Sequence, residues 1–263
     1  MRGVKSTIRR IVVTIAGAIL VLAALGAVYV ATLPGVGDAE ARVRAILAAH
    51  GGSPGALPPP ARLGTAVVAV EDENFYSNVG VDILSGAGRA ALAVAQRGGD
   101  PGGSTIGQQL AKTLYPHGGG LGGTLEEIGL AIKLSLRYSK AQILNMYLNS
   151  VYYGNGYWGD VAAARGYFGV SPRRLSWGQA SLLAGLPQAP SAYDPALHPK
   201  PARSRQLHVL DQLVDDGYLT QAEADAARRE PWRLRASAAP GSQSPATSRR
   251  RKTTLATASA GSP

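Results

Sequence analysis

The sequence predicts a mainly α-helical protein whose first helix is long and apolar enough to span a membrane. Three observations support this fold class. Helix-start signatures recur along the chain, the alternating pattern of half-buried strands is nearly absent, and an uninterrupted apolar run lies close to the first residue. With 263 residues, the chain can form one sizeable hydrophobic core and a smaller lobe.

The first predicted element is a membrane anchor. Residues 1–10 form a basic segment, and the 23 residues 11–33 that follow it carry no charge. As a helix this run is roughly 35 Å long, which crosses a hydrocarbon core of roughly 30 Å. The preceding basic side chains place the N-terminus in the cytoplasm and the rest of the chain outside. A cleaved signal peptide is the alternative, but its apolar core is usually only about 7–15 residues long.

Residues 34–60 form the predicted juxtamembrane segment and linker. Val43, Ile46 and Leu47 have helical spacing, which predicts a short amphipathic helix between Asp38 and His50. Glycine and proline are frequent from residue 51 to residue 60, as expected of a linker. The folded domain is therefore predicted to begin at residue 61.

Residues 61–235 form the predicted folded domain. Four capping-box patterns, in which Ser or Thr is followed three residues later by Glu or Gln, begin at Thr124, Ser139, Ser176 and Thr220. Residues 236–263 are rich in Ala, Ser, Thr, Pro and Gly, which predicts a disordered tail. The basic cluster in this tail is interpreted as solvating, and contact with an anionic wall polymer or lipid is the alternative.

The distribution of charge argues against nucleic-acid binding. The formal net charge is +10, but eight of the 27 basic residues lie in the first ten residues and in the tail. The remaining chain holds 19 basic and 17 acidic residues, so no broad basic surface is expected.

Several common kinds of site are absent from the sequence. There are no cysteines, and the four histidines lack the spacing of a metal site. Gly154-x-Gly156-x-x-Gly159 matches the dinucleotide fingerprint, but it follows a helical segment and is interpreted as a tight, aromatic-lined turn. No serine is followed three residues later by lysine, so the Ser-x-x-Lys motif of acyl-enzyme formation is missing.

A polar stripe is predicted on the helix that follows Gly102-Gly103. Ser104 is its expected N-cap, and Thr105, Gln109 and Lys112 are spaced so that they share one face. Hydrogen-bond donors and positive charge near a helix N-terminus suit an anionic ligand rich in hydroxyl groups. A surface helix with a solvated polar face is the alternative interpretation.

Two glutamates are the candidate reactive groups. Glu71 follows the apolar run 66–70, where desolvation can raise its pKa toward that of a useful base. Glu127 also borders an apolar segment, although it could instead bind the backbone N–H of Thr124 in a capping box. Paired carboxylates are typical of chemistry at the anomeric carbon of a sugar.

Five ordered motifs between residues 63 and 230 resemble those of the peptidoglycan glycosyltransferases of family 51. This family occurs in bifunctional penicillin-binding proteins and as monofunctional transglycosylases. The motifs are Glu71-Asp72-x-x-Phe75 with Gly80 and Asp82 behind it, Gly103-Ser104-Thr105-Ile106-x-Gln108-Gln109-Leu110-x-Lys112, Glu127 ten residues before Arg137-Tyr138-Ser139-Lys140, Ile143-Leu144-x-x-Tyr147-Leu148-Asn149, and Ala163-Ala164-x-x-Tyr167-Phe168-Gly169 with Leu182 to Gln188.

The resemblance implies a lysozyme-like glycosyltransferase domain with a smaller membrane-proximal lobe, preceded by one transmembrane helix and lacking a transpeptidase domain. It implies polymerisation of lipid II into β-1,4 glycan by inverting transfer from an undecaprenyl-diphosphate donor. Glu71 is then the general base, and Glu127 assists the diphosphate through a divalent cation such as Mg²⁺.

The resemblance also implies the contacts of this reaction. The expected substrate-binding residues are Asp72, Phe75, Ser104, Thr105, Gln108, Gln109, Lys112, Arg137, Lys140 and Asn149. The expected partners are lipid II, the growing glycan, membrane lipid and a separate transpeptidase, but no nucleic acid. The expected location is the inner, or plasma, membrane, crossed once, with the catalytic domain extracytoplasmic.

The chain departs from the family pattern at several positions. Asn78 stands where the first motif has a histidine, and Gly123 and Thr124 stand where a basic pair precedes the second glutamate. Lys112, Arg137 and Lys140 are then expected to neutralise the diphosphate. Two alternatives stay open: a catalytically weakened scaffold that binds lipid, and a lysozyme-like lytic glycosidase.

Overall fold

The computed structural model describes residues 2–76, 104–116 and 118–235, and these are predominantly helical. The helices are α1 (Arg2–Thr32), α2 (Ala39–Ala49), α3 (Ala61–Glu71), α4 (Ile106–Leu114), α5 (Gly120–Arg137), α6 (Lys140–Ser150), α7 (Asp160–Phe168), α8 (Trp177–Gly185), α9 (Pro199–Asp215) and α10 (Gln221–Arg229), with a 3-10 turn at Pro172–Arg174. Within the described ranges, β pairing is limited to one bridge between Tyr152 and Trp158. The predicted mainly α class is confirmed, whereas Asn78, Gly80, Asp82 and the tail 236–263 lie outside the described residues.

The predicted N-terminal apolar helix is present as part of α1. Its stretch Arg10–Thr32 is long and apolar enough to cross a membrane, and it is not buried against the rest of the protein. The end of α1 contacts α5. A Cβ atom on Gly129 would collide with Leu33, and Lys133 donates hydrogen bonds to the carbonyl oxygens of Leu33 and Pro34. The absence of a side chain at Gly129 therefore lets the end of α1 approach α5 closely.

The folded part has one contiguous core. Helix α3 packs between α8 and α9, while α4 packs against α5 and α6. Leu63, Val67 and Leu110 are fully buried in this core, as are the rings of Tyr147 and Tyr153. Each buried leucine or valine stabilises the fold by about 1.5–3 kcal/mol, so these contacts fix how the helices meet.

Capping boxes explain where four of the described helices begin. Complete capping boxes open α4, α6, α8 and α10, at Thr105–Gln108, Ser139–Gln142, Ser176–Gln179 and Thr220–Glu223. The predictions at Ser139, Ser176 and Thr220 are therefore confirmed. The N-cap predicted at Ser104 is wrong by one residue, because the Thr105 hydroxyl accepts the hydrogen bond from the Gln108 backbone N–H.

The capping box predicted at Thr124 is wrong. Helix α5 begins at Gly120, four residues earlier, after a run of glycines. Thr124 lies inside the helix, where its hydroxyl donates to the Gly120 carbonyl oxygen at 3.2 Å. Glu127 therefore lies inside α5 and does not belong to a capping box.

The short amphipathic helix predicted after the anchor is present as α2, with Val43 and Leu47 buried. The glycine pattern after α6 forms the predicted turn rather than a nucleotide site. Gly154 has φ +84°, and a Cβ there would lie 2.9 Å from the Pro190 carbonyl oxygen, so this position requires glycine.

Candidate active site

The junction between α3 and α4 brings the first glutamate to its partners. Glu71 is the last residue of α3, and the next residue, Asp72, accepts a hydrogen bond from the backbone N–H of Ile106 at 3.0 Å. Because Ile106 is the first residue of α4, this bond joins the end of one helix to the start of the other. Gln109, one turn further along α4, then faces Glu71.

A groove of about 600 Å³ contains both candidate glutamates. Residues from α3, α4, α5, the loop after α8 and α9 line it: Val70, Glu71, Ser104, Gln109, Lys112, Thr113, Glu127, Pro187, Gln188, Arg205 and His208. Five of the predicted site residues, Glu71, Ser104, Gln109, Lys112 and Glu127, therefore lie on one surface.

The carboxylate of Glu71 is largely enclosed, with 13% of its side chain exposed. Gln109 Nε2 donates to Glu71 Oε2 at 2.8 Å, and Arg205 Nη2 lies 3.6 Å from Oε1. Burial raises the pKa of Glu71, while the Gln109 hydrogen bond and the Arg205 charge act in the opposite direction. A carboxyl group with a raised pKa in a groove is suited to accept a proton.

Glu127 enters the groove from the middle of α5 and is 7% exposed. Within the described ranges, no three His, Cys, Asp or Glu side chains form a group that could hold a metal ion. Mg²⁺ is commonly held by one or two carboxylates together with phosphate oxygens of a ligand. The donor set of the groove fits an ion bound in that way, and it does not fit a cage built from protein ligands alone.

The cationic residues of the groove differ from the predicted set. Of Lys112, Arg137 and Lys140, only Lys112 lines it. Lys140 Nζ lies 4.8 Å from the centre of the Phe75 ring, and the Arg137 guanidinium lies 5.8 Å from that of Tyr138. Arg205 and His208, three residues apart on α9, supply the other basic side chains.

The structure places the remaining predicted substrate contacts outside the groove and shows other contacts for them. Phe75 and Gln108 are buried, at 1% and 2% exposure, and Thr105 caps α4. Asp72 bonds the start of α4, as described above. Asn149 is also buried and binds the linker, because its Oδ1 accepts from the Gly55 backbone N–H. Their role in binding the substrate stays a prediction.

Arg205 and His208 were not predicted from the sequence. No motif joins them to Glu71, since they belong to a helix more than a hundred residues further along the chain. Their three-residue spacing places them on one face of α9, but only the packing of α9 against α3 turns that face toward the glutamate.

Comparison with known proteins is consistent with this site. A family described as Transglycosylase matches residues 57–214, which is more than half of the chain. A protein of Cupriavidus necator named as a transglycosylase is 38% identical over 177 residues, covering 67% of this chain and 76% of that protein.

Penicillin-binding proteins also match. Penicillin-binding protein 2a of Streptococcus pneumoniae is 42% identical, covering 63% of this chain and 22% of its own length. Penicillin-binding protein 1A of Vibrio cholerae is 41% identical, covering 65% of this chain and 21% of its own. The chain thus spans about a fifth of these longer relatives.

A crystal structure of penicillin-binding protein 1A from Haemophilus influenzae also matches, with 38% sequence identity. The match covers 36% of this chain and 14% of that one. Its TM-score of 0.35 is too low to support an argument from that structure. The family match and the similarity to the Cupriavidus necator protein suffice. The chain belongs to the transglycosylase family and is a peptidoglycan glycosyltransferase of family 51.

Proposed function

We propose that the protein polymerises lipid II, by transferring a growing glycan from undecaprenyl diphosphate to the 4-hydroxyl of the next disaccharide. The observation that carries this proposal is the meeting of two enclosed glutamates, Glu71 and Glu127, with Lys112 in one groove. A groove of about 600 Å³ is of the size that holds ligands larger than a single sugar.

Glu71 is the proposed general base. Its carboxylate takes the proton of the acceptor 4-hydroxyl as the oxygen attacks the anomeric carbon of the donor. The new bond joins that carbon to the acceptor oxygen, while the bond to the diphosphate breaks and its electron pair leaves with the diphosphate. Attack from the side opposite the leaving group inverts the α-linked donor to a β-linked product.

The departing diphosphate needs positive charge, because two glutamates alone would repel it. Lys112 is the proposed cationic contact from α4. Glu127 would hold Mg²⁺ together with diphosphate oxygens, and the ion would neutralise negative charge on the leaving group. The packing of α5 against α4 suits one ligand group touching both side chains.

Membrane attachment is part of the proposal, since the lipid-linked substrate lies in the bilayer. The apolar stretch of α1 supports it. So does the outer face of α5, where Leu121, Leu125 and Leu136 are exposed on the side of the helix opposite Glu127. The apolar stretch of α1 ends on that same face, at Gly129, so this face of α5 would lie toward the membrane surface. A separate transpeptidase would cross-link the glycan product.

The proposal is tested by conversion of labelled lipid II to glycan by the full chain in detergent. Glu71→Gln is expected to lower turnover by about 10²–10⁴-fold, the usual contribution of a general base. The matched control is Glu73→Gln, an exposed acid two residues further on, which should retain wild-type turnover.

Three outcomes would contradict the proposal. Wild-type turnover by Glu71→Gln would remove the base assignment. Lipid II binding without turnover by the wild-type chain would favour a scaffold. Shortening of isolated wall glycan without consumption of lipid II would favour a lytic glycosidase.

A further inference from the structure

The two oxygen atoms of the Glu71 carboxylate have different surroundings. Oε2 accepts the 2.8 Å hydrogen bond from Gln109 Nε2. Oε1 is buried and receives no hydrogen bond from the described part of the chain. Among the described residues, the basic group within 4 Å of Oε1 is Arg205 Nη2, at 3.6 Å, which is beyond hydrogen-bond distance. One oxygen is therefore committed to the protein, while the other keeps its lone pairs.

The orientation of Gln109 follows from a third residue. The Tyr147 hydroxyl, fully buried on α6, donates to Gln109 Oε1 at 2.9 Å. With its oxygen engaged there, the amide presents its NH₂ group to Glu71. Tyr147 and Gln109 thus hold Oε2 in one position from the side of α4 and α6.

Arg205 is held on the opposite side by the end of α8. Its side chain is 11% exposed, and its Nε lies 3.4 Å from the Gly185 carbonyl oxygen. Carbonyl groups at a helix C-terminus carry partial negative charge, which favours a guanidinium there. A Cβ on Gly185 would lie 2.7 Å from Arg205 Cγ, so glycine at this position leaves the room that the arginine occupies.

We infer that Arg205 is a positioning residue that keeps Glu71 ionised and leaves its Oε1 atom free to take the acceptor proton. The inference rests on the proposed function, in which Glu71 is the base. A guanidinium at 3.6 Å stabilises the carboxylate through its charge, yet it does not occupy the lone pair that the proton needs. A direct hydrogen bond to Oε1 would compete with the substrate for that lone pair.

Other titratable groups also face Glu71, and all of them are retained when Arg205 is replaced. Lys112 from α4, Glu127 from α5 and His208 from α9 line the same groove. Tyr147 and Tyr153 lie nearby, and burial raises the pKa of both phenols, so they stay neutral at working pH. A change in the titration of Glu71 on substitution of Arg205 therefore reports the arginine itself.

The first experiment follows the Glu71 carboxyl directly. The full chain in detergent micelles, labelled with ¹³C at the glutamate carboxyl carbon, is titrated by NMR, and Glu71→Gln identifies the resonance. In Arg205→Gln the midpoint should rise by about 1 pH unit, the shift expected on losing a nearby opposite charge. Arg229→Gln, which removes an exposed arginine outside the groove, is the matched control and should leave the midpoint unchanged. An unchanged midpoint in Arg205→Gln would overturn the inference.

The second experiment measures kcat and KM for lipid II across pH. Arg205→Gln should lower kcat about tenfold on the acid side of the profile, with a smaller loss at high pH and little change in KM. Arg205→Lys should restore part of that loss. Gly185→Ala, which keeps the guanidinium but displaces it, should shift the profile in the same direction.

An equal loss of kcat at every pH would overturn the inference, because it would indicate structural support alone. Absence of turnover in the wild-type chain would overturn the proposed function instead, and the NMR midpoints would still decide the role of Arg205.

Discussion

At the scale of single residues, burial decides which carboxyl groups have unusual chemistry. Glu71 and Asp160 are both enclosed, and burial raises the pKa of each. Glu71 has Gln109 and Arg205 beside it. Asp160 is 1% exposed, and neither of its oxygens makes a hydrogen bond of ordinary geometry to a described residue. Glu71 is placed for proton transfer, whereas the burial of the Asp160 carboxyl group destabilises the folded state.

Asp160 leads to a prediction about stability. Burial raises its pKa to about 6 from the ordinary 3.8, against the lowering effects of the Val161 backbone N–H and of Arg173. The folded state therefore binds more protons than the unfolded state between about pH 4 and pH 6, so Asp160 destabilises the protein as pH rises through that window. Asp160→Asn should raise the free energy of unfolding at pH 7 by up to about 3 kcal/mol.

The measurement is the thermal unfolding midpoint of the full chain in detergent, followed from pH 4 to pH 7. Asp160→Asn should flatten the pH dependence and raise the midpoint most at neutral pH. Asp215→Asn, at an exposed position of α9, is the control and should follow the wild type. A midpoint for Asp160→Asn that falls equally at every pH would contradict the prediction.

At the scale of the elements, α5 joins two environments. Glu127 faces the groove, while Leu121, Leu125 and Leu136 are exposed on the opposite side and Gly129 meets the end of the anchor. In most amphipathic helices the polar face meets solvent and the apolar face is buried. In α5 the face that carries Glu127 is buried, and part of the apolar face is exposed.

The contact between α1 and α5 is tested by two glycines of the same helix. Gly129→Leu should displace Leu33 and lower the thermal midpoint, since overpacking typically costs about 1–3 kcal/mol. At Gly122, no described atom lies within 4 Å of the place that a Cβ would take, so Gly122→Leu should keep or raise the midpoint through its better helix propensity. Equal midpoints for the two variants would show that the anchor does not pack against α5.

The helix N-termini also show which features a local sequence pattern can predict. The boxes at Ser139, Ser176 and Thr220 were predictable because each depends on residues only three positions apart. The pattern at Thr124 failed because the glycine run before it adopts helix as well, so α5 starts four residues earlier. Glycine has a low helix propensity, and the packing of α5 against α4 overrides it.

At the scale of the whole molecule, the proposed function makes a prediction about the orientation of the protein in a membrane. The proposed function requires the groove on the outer side of the membrane, and the basic residues before the apolar stretch of α1 favour that topology. The sequence holds no cysteine, so single cysteines can be introduced as labels without a background.

Two such labels test the topology in intact cells. A membrane-impermeant maleimide should label Gln221→Cys, at an exposed position of α10, and should leave Ser6→Cys unlabelled until the membrane is permeabilised. Labelling after the membrane has been permeabilised is the control for the reactivity of both thiols. Labelling of Ser6→Cys but not of Gln221→Cys in intact cells would reverse the proposed orientation.

The sequence alone determined the helical class, the apolar N-terminal helix and the family, and it singled out the two glutamates that line the groove. These features rest on short-range signals: an uncharged run, residue spacing of three and four, and motifs that keep their order. The sequence predicted that Thr105, Gln109 and Lys112 share one face of α4. Gln109 and Lys112 line the groove, whereas Thr105 caps the helix.

Only the tertiary structure decided which polar side chains surround Glu71. Arg205 lies beside the glutamate because α9 packs on α3, and Tyr147 donates to Gln109 because α6 packs on α4. The same packing buries Phe75, Gln108 and Asn149 away from the groove. Burial and long-range contact are properties of how helices pack together, and the spacing of residues within one helix does not contain them.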